Sequence, residues 1–231
     1  MRHLLLFRAL STVFLTLMAA DASATLSPYM VADIYRIGGG ANPENLAGFD
    51  GQLFFAAETP EHGKELWRSD GTEAGTVMVK DIRPGSFSSE PSQLTEVNGT
   101  LYFIADNGVD GVELWRSDGT EQGTVMVRDI LPGSNGSDPH ELTAVNGTLY
   151  FVADNGLYGA ELWKSDGTEQ GTVMVKDILP IDDYSSIPYE LTACDGTLFF
   201  LRTQRRRRLG IVEKRRHRTG HCHGQRHPDG R

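Results

Sequence analysis

Carboxylate side chains recur on both sides of a short glycine-containing segment, and their spacing could serve cation binding. The middle copy of this segment contains Asp106, Asp110 and Glu113. Ca²⁺ takes about six to eight oxygen ligands, but the position of Asp110 is held by His62 in one copy and by Tyr158 in another. Only two carboxylates therefore recur. We weigh a calcium site at Asp106, Asp110 and Glu113 against turn-forming side chains on a solvated edge, and the second interpretation is favoured.

Residue patterns of common catalytic sites do not occur in the repeated part of the chain. It contains no nucleophile elbow, no phosphate-binding loop and no HExxH sequence. Its two histidines, His62 and His140, are single and do not recur. We therefore predict a protein that is not an enzyme, has no catalytic residues and needs no cofactor. Calcium is the one ion whose binding the sequence suggests. The alternative is a non-catalytic repeat part of a carbohydrate-active or other secreted enzyme.

A 48-residue repeat must position these side chains. Its most constant stretch begins at Glu65, Glu113 and Glu161 and reads ELWRSDGTEAGTVMVKDI, ELWRSDGTEQGTVMVRDI and ELWKSDGTEQGTVMVKDI. A period of this length is typical of propellers and solenoids. The repeat is thus the unit from which the fold must be built.

Each unit contains the signals of four strands. In the middle unit, β-rich runs at 93–97 and 100–106 flank Asn98-Gly99, a dipeptide that predicts a type I′ hairpin. A second pair of runs, 113–117 and 124–130, flanks a turn in which the Asp118 side chain can bond downstream amides. Consecutive apolar residues at 101–105 and 125–127 indicate a sheet that is covered on both faces.

Stacked blades satisfy that requirement without helices. The sequence therefore predicts an all-β fold of tandem four-stranded antiparallel blades, an incomplete β-propeller, with an open β-solenoid as the alternative. The predicted divisions are 1–24, a signal peptide; 25–45, the last strand of a preceding repeat plus a linker; repeats at 46–93, 94–141 and 142–190; a partial repeat at 191–201; and a basic tail at 202–231. Three full units fall short of the usual count of about four to eight blades, so a truncated product is expected to self-associate.

The repeated motifs resemble those of the ELWxxDGT repeat family of exported bacterial proteins. The resemblance covers about residues 29–200 and rests on the three copies of the signature. It implies a tandem, propeller-like repeat in secreted or surface proteins. It implies no defined activity and no catalytic residues.

The N-terminal residues predict export. Arg2, His3 and Arg8 flank and interrupt an apolar run at 4–20, and Ala22-Ser23-Ala24 fits the small-residue cleavage rule. We expect cleavage after Ala24, a secreted or cell-surface location, and no membrane span after removal of the signal.

Charge is divided sharply along the chain. Residues 1–201 carry a net charge of −18, whereas residues 202–231 carry +9. An acidic repeat surface repels nucleic acid, so no nucleic-acid partner is expected.

Cys194 takes a strand position that is valine in the other units, and we predict a buried side chain without a disulfide to Cys222.

The basic tail has the properties of another reading frame. Synonymous codons for residues 210–230, read one base later, encode ELWKSDGTGQGTVMVKDIRT, which is the missing half of the fourth unit. The sequence therefore predicts a frameshift near residues 201–204, a fragment with a disordered tail, and no metal or nucleic-acid role for the tail's histidines and arginines.

One end of the blades differs between units and is the predicted partner-binding surface. If strands alternate in direction, the loop at 107–112 and the connector at 131–141 share one end, and the tight turns share the other. The differing positions that we select are Asp110, Val112, Tyr158 and His62. The expected partner is an extracellular protein or carbohydrate.

Overall fold

The computed structural model of the chain describes residues 40–178, 186–202 and 210–211, and within them it contains strands and no helix. Blade 1 consists of β1 (Glu44–Phe49), β2 (Gln52–Thr59), β3 (Gly63–Ser69) and β4 (Val77–Lys80). Blade 2 consists of β5 (Ser92–Val97), β6 (Thr100–Asp106), β7 (Val112–Ser117) and β8 (Val125–Arg128). Blade 3 consists of β9 (His140–Val145), β10 (Thr148–Asp154), β11 (Ala160–Ser165) and β12 (Val173–Lys176). Blade 4 consists of β13 (Pro188–Cys194), β14 (Thr197–Arg202) and β15 (Gly210–Ile211).

Every blade is an antiparallel meander whose strands are hydrogen-bonded in chain order. The first hairpin of blade 2 turns at Asn98 and Gly99, which have φ of 50° and 74°, as a type I′ turn requires. This confirms the hairpin and the four-strand unit. The last strand is shorter than expected, because it ends at Arg128 and the chain then enters the connector to the next blade.

The core lies between the blades. Alternate residues of β6 enter opposite interfaces: Phe103 packs in the cluster shared with blade 1, and Tyr102 packs in the cluster shared with blade 3. This alternation follows from the two-residue period of a strand. Both faces of the interior blades are therefore apolar and covered, as the runs of consecutive apolar residues predict.

The blades fan out from their first strands. The close contacts between different blades all include a first strand, and β1, β5, β9 and β13 lie side by side in that order. Asn98 Nδ2 donates to Gly147 O over 3.0 Å, and Asn146 Nδ2 donates to Gly196 O over 2.8 Å, so the first turns are linked from blade to blade. Convergence on one strand per blade is the arrangement of a propeller and not of a solenoid. The described arc is an incomplete propeller that does not close.

Blade 4 reaches into the tail. Leu201 pairs with Ile211 and Arg202 with Gly210. The same register in blade 3 pairs Val152 with Leu162 and Ala153 with Glu161. Arg202, Gly210 and Ile211 are thus in strands, which corrects the prediction of disorder at these three positions. The remainder of the tail, the signal peptide with Ala24 and the strand expected within 25–39 lie outside the described residues.

Cys194 differs from its prediction. It is disulfide-bonded, and its partner lies outside the described residues. Its side chain is half-buried, whereas the equivalent Val97 and Val145 are buried. The prediction of a buried thiol without a disulfide is therefore wrong, because the fourth blade leaves this position less covered than the interior blades do.

Candidate functional site

The recurrent glutamates of the signature are buried and hold the connectors between blades. Glu113 accepts hydrogen bonds from Ser137 N and Oγ and from Leu131 N. Glu65 accepts from Ser89 Oγ over 2.6 Å and from Ile82 N over 2.9 Å. Glu161 bonds in the same way to Ser186 Oγ, Ser186 N and Ile178 N. All three glutamates are fully inaccessible to solvent.

Burial affects the ionisation of Glu65 and Glu113. It raises the pKa of Glu65 to about 7, although the hydrogen bonds from Ser89, Ile82 and Arg83 favour the charged carboxylate and act in the opposite direction. Burial also raises the pKa of Glu113. Desolvation thus outweighs the hydrogen bonds at both positions.

In blades 1 to 3 a Ser-Asp-Gly-Thr turn joins the third and fourth strands, at the end of the blade away from the connectors, and it is closed by its own side chains. Asp118 Oδ1 accepts from Thr120 N over 2.8 Å and from Thr120 Oγ1 over 2.7 Å. Thr120 Oγ1 accepts from Gly123 N, and Ser117 Oγ bonds Thr124 Oγ1. The two hydrogen bonds from Thr120 lower the pKa of Asp118. The constancy of this turn is thereby explained by its own hydrogen bonding.

The residues proposed for calcium are already engaged with protein groups. Asp106 Oδ2 lies 2.6 Å from Arg83 NH1, and Asp106 Oδ1 accepts from Gly108 N. Asp110 Oδ2 accepts from Asn107 Nδ2 over 2.8 Å. Glu113 is turned inward to the connector. Across residues 40–178 and the two shorter described segments, no three such side chains gather as a group that could hold a metal ion.

The surface that differs between units lies at one end of the arc. We define the variable end as the loops 60–62, 107–111 and 155–159 together with the connectors 81–91 and 129–139. It contains four exposed large apolar side chains: Val109 and Leu157, each 70% exposed, Phe87, 66% exposed, and Tyr158, 43% exposed. This is the end that strand alternation predicts.

The four selected partner-binding residues have different environments there. Tyr158 is exposed in its loop, and the adjacent Leu157 is more so. His62 Nδ1 lies 2.9 Å from Asp81 Oδ2. Val112 begins β7, and its carbonyl accepts from Asp138 N, so its backbone belongs to the connector contact. Val112 is accordingly less available than Val109, which is 70% exposed.

The sequence analysis did not predict a role for the aspartate that recurs near the end of the signature. It lies close to the loop position held by His62 in blade 1 and Asp110 in blade 2. Asp81 and Asp129 each have an Oδ1 atom that is buried and has no hydrogen-bond partner within the described part of the chain. His62 pairs with Asp81, whereas in blade 2 burial and the nearby charge of Asp110 raise the pKa of Asp129. The DI pair at the end of each signature is the only sequence signal for these residues. The residue that lies near this aspartate thus differs between blades: it is His62 in blade 1 and Asp110 in blade 2.

Two of the three tryptophans of the signature belong to the core. Trp115 and Trp163 are 6% and 4% exposed and lie in the clusters between blades. Trp163 Nε1 donates to Ala153 O over 3.0 Å. Trp67, in blade 1, is half-buried.

No known family model matches the chain, and no curated protein matches it. Among solved structures it is similar to the apo form of the AtxE2 isopeptidase, with 13% identity and a TM-score of 0.45 over 68% of this chain and 24% of that one. It is also similar to an alpha-L-arabinofuranosidase from Clostridium thermocellum, with 17% identity and a TM-score of 0.32 over 76% of this chain and 66% of that one. The chain thus spans about a quarter of the length of the isopeptidase. Likenesses at these scores carry no argument about activity.

The described residues also contain no helix with the length and apolar character needed to cross a membrane.

Proposed function

We propose that the chain is an exported, non-enzymatic binding module that contacts an extracellular partner through its variable end. The observation that carries the proposal is the exposure of Val109, Leu157 and Tyr158 on loops whose sequences differ from blade to blade. Exposed apolar side chains on loops held by a rigid scaffold are typical of recognition surfaces.

The use of the recurrent polar residues supports a non-enzymatic role. Glu113 accepts hydrogen bonds from its own connector, and Asp118 from its own turn. Both side chains have a structural partner in every described copy of the signature, so the repeat provides support and the variable loops provide contact.

The exposed aliphatic side chains favour a protein partner over a carbohydrate. Sugars are bound mainly by hydrogen-bonding groups and flat aromatic rings, whereas Val109 and Leu157 offer only apolar contact. The acidic repeats add a preference for a partner with basic groups around an apolar segment.

A second function is the support of a larger secreted enzyme. The chain would then be a frameshifted fragment of a longer protein, as the composition of the tail suggests, and the variable end would contact the catalytic part. The register of Gly210 and Ile211 with Glu161 and Leu162 favours a fourth unit that continues the repeat.

The test uses a random peptide library displayed on phage as the probe, with particles of arabinan, xylan and chitin as the carbohydrate arm. Peptides selected on the wild-type chain should lose binding to Leu157→Ala with Tyr158→Ala. They should keep binding to Glu121→Ala, an exposed change in the turn at the opposite end. Equal binding to both variants would contradict the assignment of the variable end, and retention on a polysaccharide would contradict the protein partner.

A further inference from the structure

The first blade of the arc has an outer face with the same residues that are buried between blades elsewhere. We define the leading face as Leu53, Phe55, Ala57 and Trp67. By register, Phe55 pairs with Trp67, as Phe103 pairs with Trp115 in blade 2. The alternate residues Phe54 and Leu66 pack toward blade 2. The leading face is therefore on the side of blade 1 away from blade 2.

Solvent exposure distinguishes the leading face from its interior counterparts. Leu101 and Leu149 are fully inaccessible, and Trp115 and Trp163 are 6% and 4% exposed. In the leading face, Leu53 and Trp67 are only half-buried, whereas Phe55 and Ala57 are already covered, at 5% and 0% exposed. The part of the leading face formed by Leu53 and Trp67 is thus the part left open to solvent.

The other end of the arc has the complementary surface. We define the trailing face as Phe199 and Leu201 of β14, which occupy the positions of Tyr150 and Val152 in β10. Val152 and Tyr150 pack toward blade 4. Phe199 and Leu201 are half-buried, so the side of blade 4 away from blade 3 is also partly open.

We propose that the leading face of one copy packs on the trailing face of a second copy of the chain and continues the blade order across the contact. At Leu53 and Trp67 the interface would repeat the packing that their counterparts make between blades 1 and 2 and between blades 2 and 3. A contact between two different patches is heterologous and closes if the rotation permits. Two arcs of four blades would give about eight, the upper end of the usual range, so the expected product is a dimer.

Charge provides a signature for this contact. Residues 1–201 carry a net charge of −18, so the repeats of two copies repel each other. The paired faces themselves are apolar. Added salt screens the repulsion and leaves apolar contact intact, so association should strengthen as salt is raised. Binding of the +9 tail to an acidic blade surface would have the opposite salt dependence.

The test is sedimentation of the purified full chain over a roughly 100-fold concentration range at low and high salt. The wild type should form a dimer that strengthens with salt. Leu53→Lys places a charge in the contact and should weaken association by about 100-fold or more. The matched control is Val109→Lys, the same kind of change at a 70% exposed site on the variable end, and it should leave the dimer unchanged.

A second measurement avoids any loss of folding in the variant. Trp67 is the half-buried tryptophan, while Trp115 and Trp163 are already buried. Acrylamide quenching of wild-type fluorescence should fall as the concentration rises, because Trp67 becomes covered. A monomer at every concentration, oligomers that persist in Leu53→Lys, oligomers that dissociate in salt, or quenching that is independent of concentration would each overturn the proposal.

Discussion

Ser89 donates its hydroxyl hydrogen to Glu65 Oε2 over 2.6 Å, joining the connector that follows blade 1 to the centre of that blade. The equivalent serine and glutamate are bonded in blades 2 and 3. The path of each connector is therefore fixed by a buried carboxylate 24 or 25 residues earlier. This bond explains why the signature begins with glutamate.

Removing the serine hydroxyl should destabilise the blade array. In Ser137→Ala the buried Glu113 loses a donor, and leaving a buried acceptor short of a partner costs about 1–3 kcal/mol. Urea unfolding measures the change. Ser134→Ala, an exposed serine in the same connector, is the matched control and should change the free energy of unfolding by less than about 0.5 kcal/mol. Equal effects of the two changes would contradict the structural role of the buried bond.

Stability should fall between pH 5 and pH 8. Burial raises the pKa of Glu65 to about 7, whereas an unfolded glutamate titrates near about 4.3. Between these values the folded chain binds more protons than the unfolded chain, so the free energy of unfolding decreases as pH rises. The decrease from Glu65 is on the order of 3 kcal/mol, and Glu113, whose pKa is also raised by burial, acts in the same direction.

Unfolding measured at several pH values checks this prediction. Glu65→Gln should reduce the pH slope, while the exposed Glu121→Gln should keep the wild-type slope. The lowered pKa of Asp118 contributes stability that is lost only as pH falls below about 4, outside this window. A stability that rises from pH 5 to pH 8 would contradict the raised pKa of Glu65.

Gly123 should not tolerate a side chain. A Cβ atom at this position would overlap the Asp118 carboxylate, although the glycine does not have positive φ. Gly123→Ala should therefore break the turn and lower stability by about 1–3 kcal/mol. Gly48→Ala is the control, because a Cβ atom there would contact nothing within 4 Å. Thermal melting of the two variants separates loss of the turn from the general effect of replacing glycine.

Much of the fold was predictable because the same strand and turn signals recur in three units. The Asn98-Gly99 turn and the consecutive apolar residues around Phe103 determine hairpins and covered faces without any long-range information. The role of Glu113 was not predictable, because its partner Ser137 lies 24 residues away. A carboxylate beside a glycine-containing loop is typical of both cation sites and buried acceptors, and burial alone distinguishes them.

The candidate surface was predicted in position but not in composition. Strand alternation placed the loops of Asp110 and Tyr158 at one end, and the structure shows them there. Val112 was selected because it varies, yet its carbonyl bonds Asp138. Exposure depends on how the connector folds over β7, which a local pattern does not reveal.

Restoring the alternative reading frame should stabilise blade 4. We propose that the frame encodes a glutamate at the position of Gly210, which already pairs in the register of Glu161. A gene read in the alternative frame after residues 201–204 should give a product with a higher melting temperature and a protease-resistant fourth unit. Replacing the tail with an unrelated sequence of equal length is the control. No gain over that control would contradict a fourth repeat, and resequencing the gene would show which frame is present.

The most direct test of the variable end as the binding surface exchanges the residues that blades 2 and 3 carry at the same loop position. Asp110→Tyr combined with Tyr158→Asp keeps the composition, the net charge and every blade-internal hydrogen bond of Glu113 and Asp118. Titration of a library-selected peptide into this variant and the wild type compares their affinities, and thermal melting confirms that both are folded. We expect the affinity to fall by about tenfold or more with an unchanged melting temperature. An unchanged affinity would contradict recognition by the variable end.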